Sequence, residues 1–330
     1  MEMVIRYTNE DLVQDFTYLR NATPRLPVGS RQRSGMKILE HFQPHLWETR
    51  GANGNSVAEL WNDEALMKKV IDNDRTFKRV GKLYVSEIRR NLAFYGNAPL
   101  PTMYRPLLTK AIVRKYNATT VLDPCVGWGG RLLGCLAAGV RFTGIEPSTK
   151  THEGLRSIVE MFGKDQSVTL FKEGAENVLP SLPSESFDMI LTSPPYFDLE
   201  IYCDEETQSV KKFSTWEAWL SGFLEPIIRE CLRCLKEKGV SAWSVKNMGT
   251  RKLETEVKAI HKKYGYDCVA TEGMTAPARN RGRKARMSEE TFIFQKNILG
   301  KTYDVGYSYS AQPRQVLPCQ YPLPAEDPAV

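Results

Sequence analysis

Residues 193–196 read Ser-Pro-Pro-Tyr and follow an apolar run, 187–191, with the pattern of a buried strand. Two consecutive prolines fix φ and remove two backbone donors, so the carbonyls beside them stay free to accept from a ligand. A hydroxyl, free carbonyls and an aromatic ring are the parts needed to hold a planar, amino-bearing base. An amine conjugated to such a ring is a poor nucleophile because its lone pair is delocalised. Two acceptors, the Ser193 hydroxyl and the Pro194 carbonyl, favour a pyramidal nitrogen and stabilise the positive charge that develops as it attacks. Pro195 holds the turn, and Tyr196 is placed to stack on the ring face.

About seventy residues earlier, 121–130 read Val-Leu-Asp-Pro-Cys-Val-Gly-Trp-Gly-Gly, a strand running into a glycine turn. Open parallel sheets bind ligands at the carboxyl ends of their strands. Gly127 and Gly129 let the backbone turn tightly and approach a ligand there. A Gly-x-Gly turn occurs in many folds; its value here comes from the next strand, 141–145, which ends in Glu146, a carboxylate able to accept from a ribose diol. A dinucleotide-binding fold would share both features but lacks the Asp-Pro opening.

Together the two motifs resemble the DNA methyltransferases that modify exocyclic amino groups with S-adenosylmethionine. The resemblance covers residues 100–296 and leaves the first hundred unexplained. It implies a catalytic set of Ser193, Pro194, Pro195 and Tyr196, with Asp123, Gly127 and Gly129 near the methionine part of the cofactor and Glu146 on its ribose. By the same resemblance Tyr104, in the helix before the first strand, closes over the methionine moiety, and Ala175 and Glu176, after the third strand, meet the adenine ring. Trp128 departs from the small hydroxyl residue usual between the glycines and either covers the cofactor or packs. The partner implied is double-stranded DNA with its target base flipped out of the stack. A serine before the prolines favours N4 of cytosine, whereas the order of the two motifs is familiar from N6-adenine enzymes; cytosine is preferred. Methylation of RNA amines and a catalytically idle nucleic-acid-binding fold are the alternatives. Cytosine C5 chemistry is set aside because Pro124-Cys125 follows the first strand rather than the fourth, which makes Cys125 a loop residue.

These residues must be positioned by an α/β, doubly wound, mostly parallel seven-stranded sheet. Expected strands are 119–122, 141–145, 168–171, 187–191, 240–245, 266–271 and 291–294, and expected helices are 131–138, 149–162, 215–236 and 253–264. The last two strands lack a crossover helix, so they should close the sheet as an antiparallel hairpin. Residues 1–99 read as a helical extension that recognises DNA, 100–300 as the catalytic domain and 301–330 as a proline-rich, extended tail. Within the extension, 57–95 carries one helical apolar stripe and 21–35 a loop.

The chain has 330 residues, 42% hydrophobic and 25% charged, with 45 Lys and Arg against 39 Asp and Glu. A net charge of +6 permits a polyanionic partner without demanding one. Residues 279–286, Arg-Asn-Arg-Gly-Arg-Lys-Ala-Arg, concentrate Arg279, Arg281, Arg283, Lys284 and Arg286 in a loop suited to phosphates. Further cations for DNA are Arg31, Arg33, Lys78, Arg79, Lys82, Arg89 and Arg90. Residues 197–212 are acidic then basic and read as a mobile segment that closes over the base or merely connects elements. Seven scattered cysteines argue against a disulfide framework, and Cys231-x-x-Cys234 reads as helix packing. His41 and His45 flank Pro44, which disfavours a zinc-binding helix, so no metal is expected. No apolar run approaches the roughly 20 residues of a membrane span. A cytoplasmic protein is expected, with a homodimer permitted.

Overall fold

The computed structural model describes residues 2–51, 54–275 and 287–297. Arg279, Arg281, Arg283, Lys284 and Arg286, and the tail 301–330, lie outside the described residues.

The sheet is built from β1 (Val28–Gly29), β2 (Thr120–Asp123), β3 (Arg141–Ile145), β4 (Val168–Phe171), β5 (Phe187–Thr192), β6 (Leu235–Ser244), β7 (Tyr266–Thr275) and β8 (Met287–Lys296). Their order is β1-β7-β8-β6-β5-β2-β3-β4, with β8 antiparallel to both β6 and β7 and every other pair parallel. The expected closing hairpin is present. The count of seven strands is corrected to eight, because β1 lies in the segment read as a loop. At two residues it is too short to show alternation, and only its tertiary pairing of Val28 with Met274 makes it a strand.

Successive residues of the central strands enter different apolar clusters. Val121, Met189 and Leu191 lie in one; Leu122 and Ile190 lie in the other. Both faces are therefore covered, as parallel strands require. On the first face pack α1 (Asn9–Asn21), α2 (Met36–Phe42), α7 (Pro106–Lys115), α8 (Gly130–Ala138) and α9 (Thr149–Phe162). The second face carries α10 (Ala175–Val178), α13 (Glu225–Cys234) and α14 (Leu253–Lys263), with the short α11 (Ser209–Lys212) and α12 (Trp216–Trp219) beside them. Cys231 and Cys234 are buried in α13 within this cluster.

Several expected helices change at identifiable residues. The stretch 215–236 divides into α12, a π-helical turn at Leu220–Leu224 and α13, and its last two residues already belong to β6. Pro226, at the start of α13, has no N–H to continue an α-helical ladder, and the preceding turn widens. The stripe 57–95 becomes α3 (Val57–Trp61), α4 (Glu64–Asn73), α5 (Arg75–Val80) and α6 (Val85–Tyr95). Ser56, Asp63 and Asp74 each cap a new helix through the side chain, and Gly81 ends α5 in a left-handed conformation. Tyr104 and Arg105 precede α7 rather than lie in it, since Pro106 takes its first turn.

Candidate active site

A cavity of about 580 Å³ opens at the carboxyl ends of β2, β3, β5 and β6. The loop from β2 to α8 forms one wall, and its geometry is fixed from behind. Asp123 is wholly buried: one carboxylate oxygen accepts from Arg131 Nε at 2.7 Å, the other from Thr192 Oγ1 at 2.7 Å and the Cys125 amide at 3.2 Å. Arg131 also donates to the carbonyls of Cys125 and Val126, and its guanidinium lies 5.3 Å from the Tyr104 ring centre. Asp123 thus ties the end of β2 to the end of β5 and is not among the residues lining the cavity. Arg131 escaped the sequence reading, although a lone arginine in the apolar run of α8 signals a buried partner.

The glycines differ in purpose. Gly127 has φ of +55° with open space where a Cβ would stand, and it lines the cavity. Gly129 does not line it; at φ of +88° it makes the left-handed turn into α8, and a Cβ there would also meet Leu155 of α9 at 2.7 Å. Tyr104 lines the cavity and donates to or accepts from Thr291 Oγ1 at 2.8 Å.

Glu146 lines the cavity while accepting from the Gly127 amide on one oxygen and the Ser148 amide on the other, each at 2.9 Å. Burial pushes its carboxyl up to about 7; the two amide hydrogen bonds oppose the shift, Asp123 adds to it and Arg131 counters it. A carboxylate has about four acceptor positions, so two remain for a ligand. Ala175 and Glu176 line the neighbouring wall, with Glu176 paired to Lys212 at 2.6 Å. Glu173 turns instead to the Gly174 amide and Asn177. Trp128 lines the cavity and packs edge-on against His45 and Tyr202, at 5.4 and 5.8 Å between ring centres.

Ser193, Pro194, Pro195 and Tyr196 follow β5 directly and line the same cavity. Burial raises the pKa of the Tyr196 hydroxyl, with Ser193 opposing the shift. The next residue, Phe197, sits at φ of +54°, a costly conformation for a bulky side chain. Its buried ring is held by Trp216 and Trp219, 5.8 and 5.9 Å away, and by Arg251, which lies over it and pairs with Asp198. Segment 197–212 is anchored at several points: Ile201 exchanges two backbone hydrogen bonds with Arg50, and Glu205 accepts from the Thr149 amide at 2.9 Å. Glu200 and Tyr202 from this segment complete the wall. Ser244 at the end of β6, Lys246 just after it, and Glu289 and Glu290 near the start of β8 also line the cavity and were not foreseen.

The Cys125 thiol lines the cavity too, but burial holds its pKa well above the ordinary value, unlike an activated thiolate. Among the described residues no group of His, Cys, Asp and Glu could hold a metal ion, and no helix is long and apolar enough to cross a membrane. Arg89 is corrected as a contact for DNA. It is buried against Glu40, the Met3 carbonyl and the Trp47 ring. Lys78, Arg79, Lys82 and Arg90 are exposed.

With Ser193 to Tyr196 and Glu146 on one cavity, comparison with known proteins has a defined object. Residues 187–315 match the N6/N4-type DNA methylase family. The methylase match begins at Phe187, the first residue of β5, and so contains the Ser-Pro-Pro-Tyr turn. The chain is also 30% identical over 97 residues to a tRNA (guanine(10)-N2)-dimethyltransferase of Pyrococcus abyssi (strain GE5 / Orsay), spanning 29% of each protein's length. Similar solved structures include NSun6 from Pyrococcus horikoshii, 19% identical with a TM-score of 0.41, covering 61% of this chain and 53% of that one. Another is a SAM-dependent O-methyltransferase from Thermotoga maritima, 12% identical with a TM-score of 0.40, covering 62% and 70%. At such scores neither likeness bears on the substrate. The family match and the α/β fold support a methyltransferase that uses S-adenosylmethionine.

Proposed function

We propose that the chain methylates the exocyclic amino group of a base flipped out of double-stranded DNA, with N4 of cytosine as the preferred atom. The observation that carries the reading is the opening of Glu146 and of the Ser193–Tyr196 turn onto one cavity. S-adenosylmethionine supplies an electrophilic methyl group.

Glu146 would accept from the ribose hydroxyls with the lone pairs its backbone donors leave unused, while Gly127 allows close approach and Tyr104 covers the methionine end. Glu176 and Ala175 would border the adenine ring. Asp123 and Gly129 act indirectly: the first braces the loop through Arg131 and Thr192, the second admits α9. On the other side, the Ser193 hydroxyl and Pro194 carbonyl would accept from the target amine, whose nitrogen attacks the methyl carbon as the carbon–sulfur bond breaks and then releases one proton to solvent. Holding nitrogen and methyl in line supplies much of the rate, and the paired acceptors stabilise the cationic transition state. Tyr196 would stack on the base. The loop 279–286 is assigned to phosphates.

A second reading is methylation of an amine in RNA, favoured by the 97-residue likeness to the tRNA dimethyltransferase. One experiment separates them: unmethylated genomic DNA and bulk tRNA are each incubated with methyl-labelled S-adenosylmethionine, digested to nucleosides and analysed by mass spectrometry. N4-methylcytosine in DNA is expected. N6-methyladenine keeps the mechanism and changes the base, label in tRNA alone selects the second reading, and no labelled nucleoside contradicts both.

A further inference from the structure

Nine large apolar or aromatic side chains are exposed among the described residues, and six of them fall within residues 77–100: Phe77, Val80, Tyr84, Phe94, Tyr95 and Leu100. Isolated exposed apolar residues are ordinary, but a concentration of this kind marks a surface that meets something. Cations are interleaved with the rings. Residues 77–95 contain Lys78, Arg79, Lys82, Arg89 and Arg90 against one acid, Glu87. Arg89 is buried and Arg90 pairs with Glu87 at 3.4 Å. Lys78, Arg79 and Lys82 form no ion pair among the described residues, and the Lys82 ammonium lies 5.3 Å from the Tyr84 ring centre.

The placement of this surface connects it to the cavity. Asp74, which caps α5, accepts from Asn91 of α6 at 3.2 Å and holds the two helices side by side. Ala93 of α6 packs in the cluster that includes Met103 and Trp128, both of which line the cavity. The chain then leaves Leu100 and reaches the cavity wall at Thr102.

We propose that the outer surface of α5, the 81–84 turn and α6 binds the nucleic-acid strand flanking the target base where the duplex is opened, with Lys78, Arg79 and Lys82 on its phosphates and Phe77 and Tyr84 stacking on its unpaired bases. This inference rests on the nucleic-acid substrate proposed above and assigns it a second contact outside the cavity. Charge decides the class of partner: free cations beside exposed rings suit a polyanion that carries flat bases, and each base stacked on a ring adds affinity without sequence preference. A groove on a second copy of this chain would have to satisfy three cations with one nearby acid.

The test compares wild type with two variants, Lys78→Ala/Arg79→Ala/Lys82→Ala and Phe77→Ala/Tyr84→Ala, for binding to a short fluorescein-labelled single-stranded DNA over a range of salt. The triple variant should bind about tenfold more weakly at low salt, with the log–log salt slope reduced by about 2, at roughly 0.7 per phosphate lost. The double variant should lose about fivefold or more with the slope unchanged, because stacking releases no counterions. Affinity for S-adenosylmethionine should stay at the wild-type value in both, which shows that the cavity is intact. Wild-type DNA affinity and slope in both variants would overturn the inference. So would variants that lose only self-association, or only binding to anionic phosphatidylserine vesicles. If wild type methylates DNA while the variants bind like it, the surface assignment falls and the proposed function stands. If wild type binds through this surface yet labels no nucleoside, the reverse holds.

Discussion

The two halves of the cavity are built differently. The half around Glu146 is organised by short-range bonds within 123–148: Arg131 to Asp123, the Gly127 amide to Glu146, and the Ser148 amide to the same carboxylate. Its groups are buried, mutually bonded and set on the ends of two parallel strands. The half around Ser193 gathers segments far apart in sequence: the turn after β5, Glu200 and Tyr202 from the segment that follows, Ser244 at the end of β6, and Glu289 near the start of β8. Its closure depends on long-range ties such as Ile201 to Arg50. One half can be rigid before any ligand arrives, whereas the other is shaped by loops drawn from distant parts of the chain.

The contrast is tested most severely at Asp123. Asp123→Ala leaves a buried guanidinium without its partner and should cost about 3–5 kcal/mol in stability, read from denaturant unfolding. Asp123→Leu/Arg131→Met removes both charges and should recover much of that loss; a double variant no more stable than the single would show that the pair is not what braces the loop. Next in size is Glu146→Ala. Losing charge-assisted hydrogen bonds worth about 1.5–3 kcal/mol should weaken cofactor binding at least tenfold in calorimetry, with affinity for DNA unchanged.

A pH dependence follows from the same residue. Its carboxyl is raised to about 7 by burial, so below that pH it is protonated and loses acceptor capacity. Affinity for S-adenosylmethionine should therefore rise as pH increases through about 7 and level off above it, and Glu146→Gln should flatten the profile. A profile of the same shape in both proteins would assign the titration elsewhere. The smallest effect belongs to Arg50→Ala. The Arg50–Asp204 pair is exposed and worth about 0–1 kcal/mol, and the Ile201 backbone bonds survive the substitution. Methyl transfer should fall no more than about fivefold by that estimate. A loss as large as that of Glu146→Ala would mean that the substrate half is as tightly specified as the cofactor half.

The same division governs what the sequence reveals. The strands at Arg141–Ile145 and Val168–Phe171 and the helix at Thr149–Phe162 were legible to the residue, because each is a local pattern bounded by its own turn signals. Glu146 and Ser193 were legible because both stand directly after such strands. Asp123 was found but its work was not, since nothing local says that its oxygens are already taken by Arg131 and Thr192. Gly129 was found for the left-handed turn it makes, at φ of +88°, but the further demand on it from Leu155 on another helix was not. The two-residue β1 depends on a pairing across more than a hundred residues, and Glu289 and Glu290 reach the cavity wall only through the pairing of β8 with β6 and β7, so none leaves a local trace. Arg89 looked like one more surface cation until its partners, Glu40 and the Met3 carbonyl, were in view.

The most direct test of the central claim, that Ser193 activates an amine beside a cofactor held by Glu146, is to measure S-adenosylmethionine affinity and single-turnover methyl transfer to DNA side by side for wild type and Ser193→Ala. On this account the hydroxyl bond strengthens as charge develops on the amine, so transfer should slow by about 10²–10³-fold, as for removal of one preorganised hydrogen-bonding group, while cofactor affinity stays the same. A Ser193→Ala protein that methylates DNA at the wild-type rate would contradict the account.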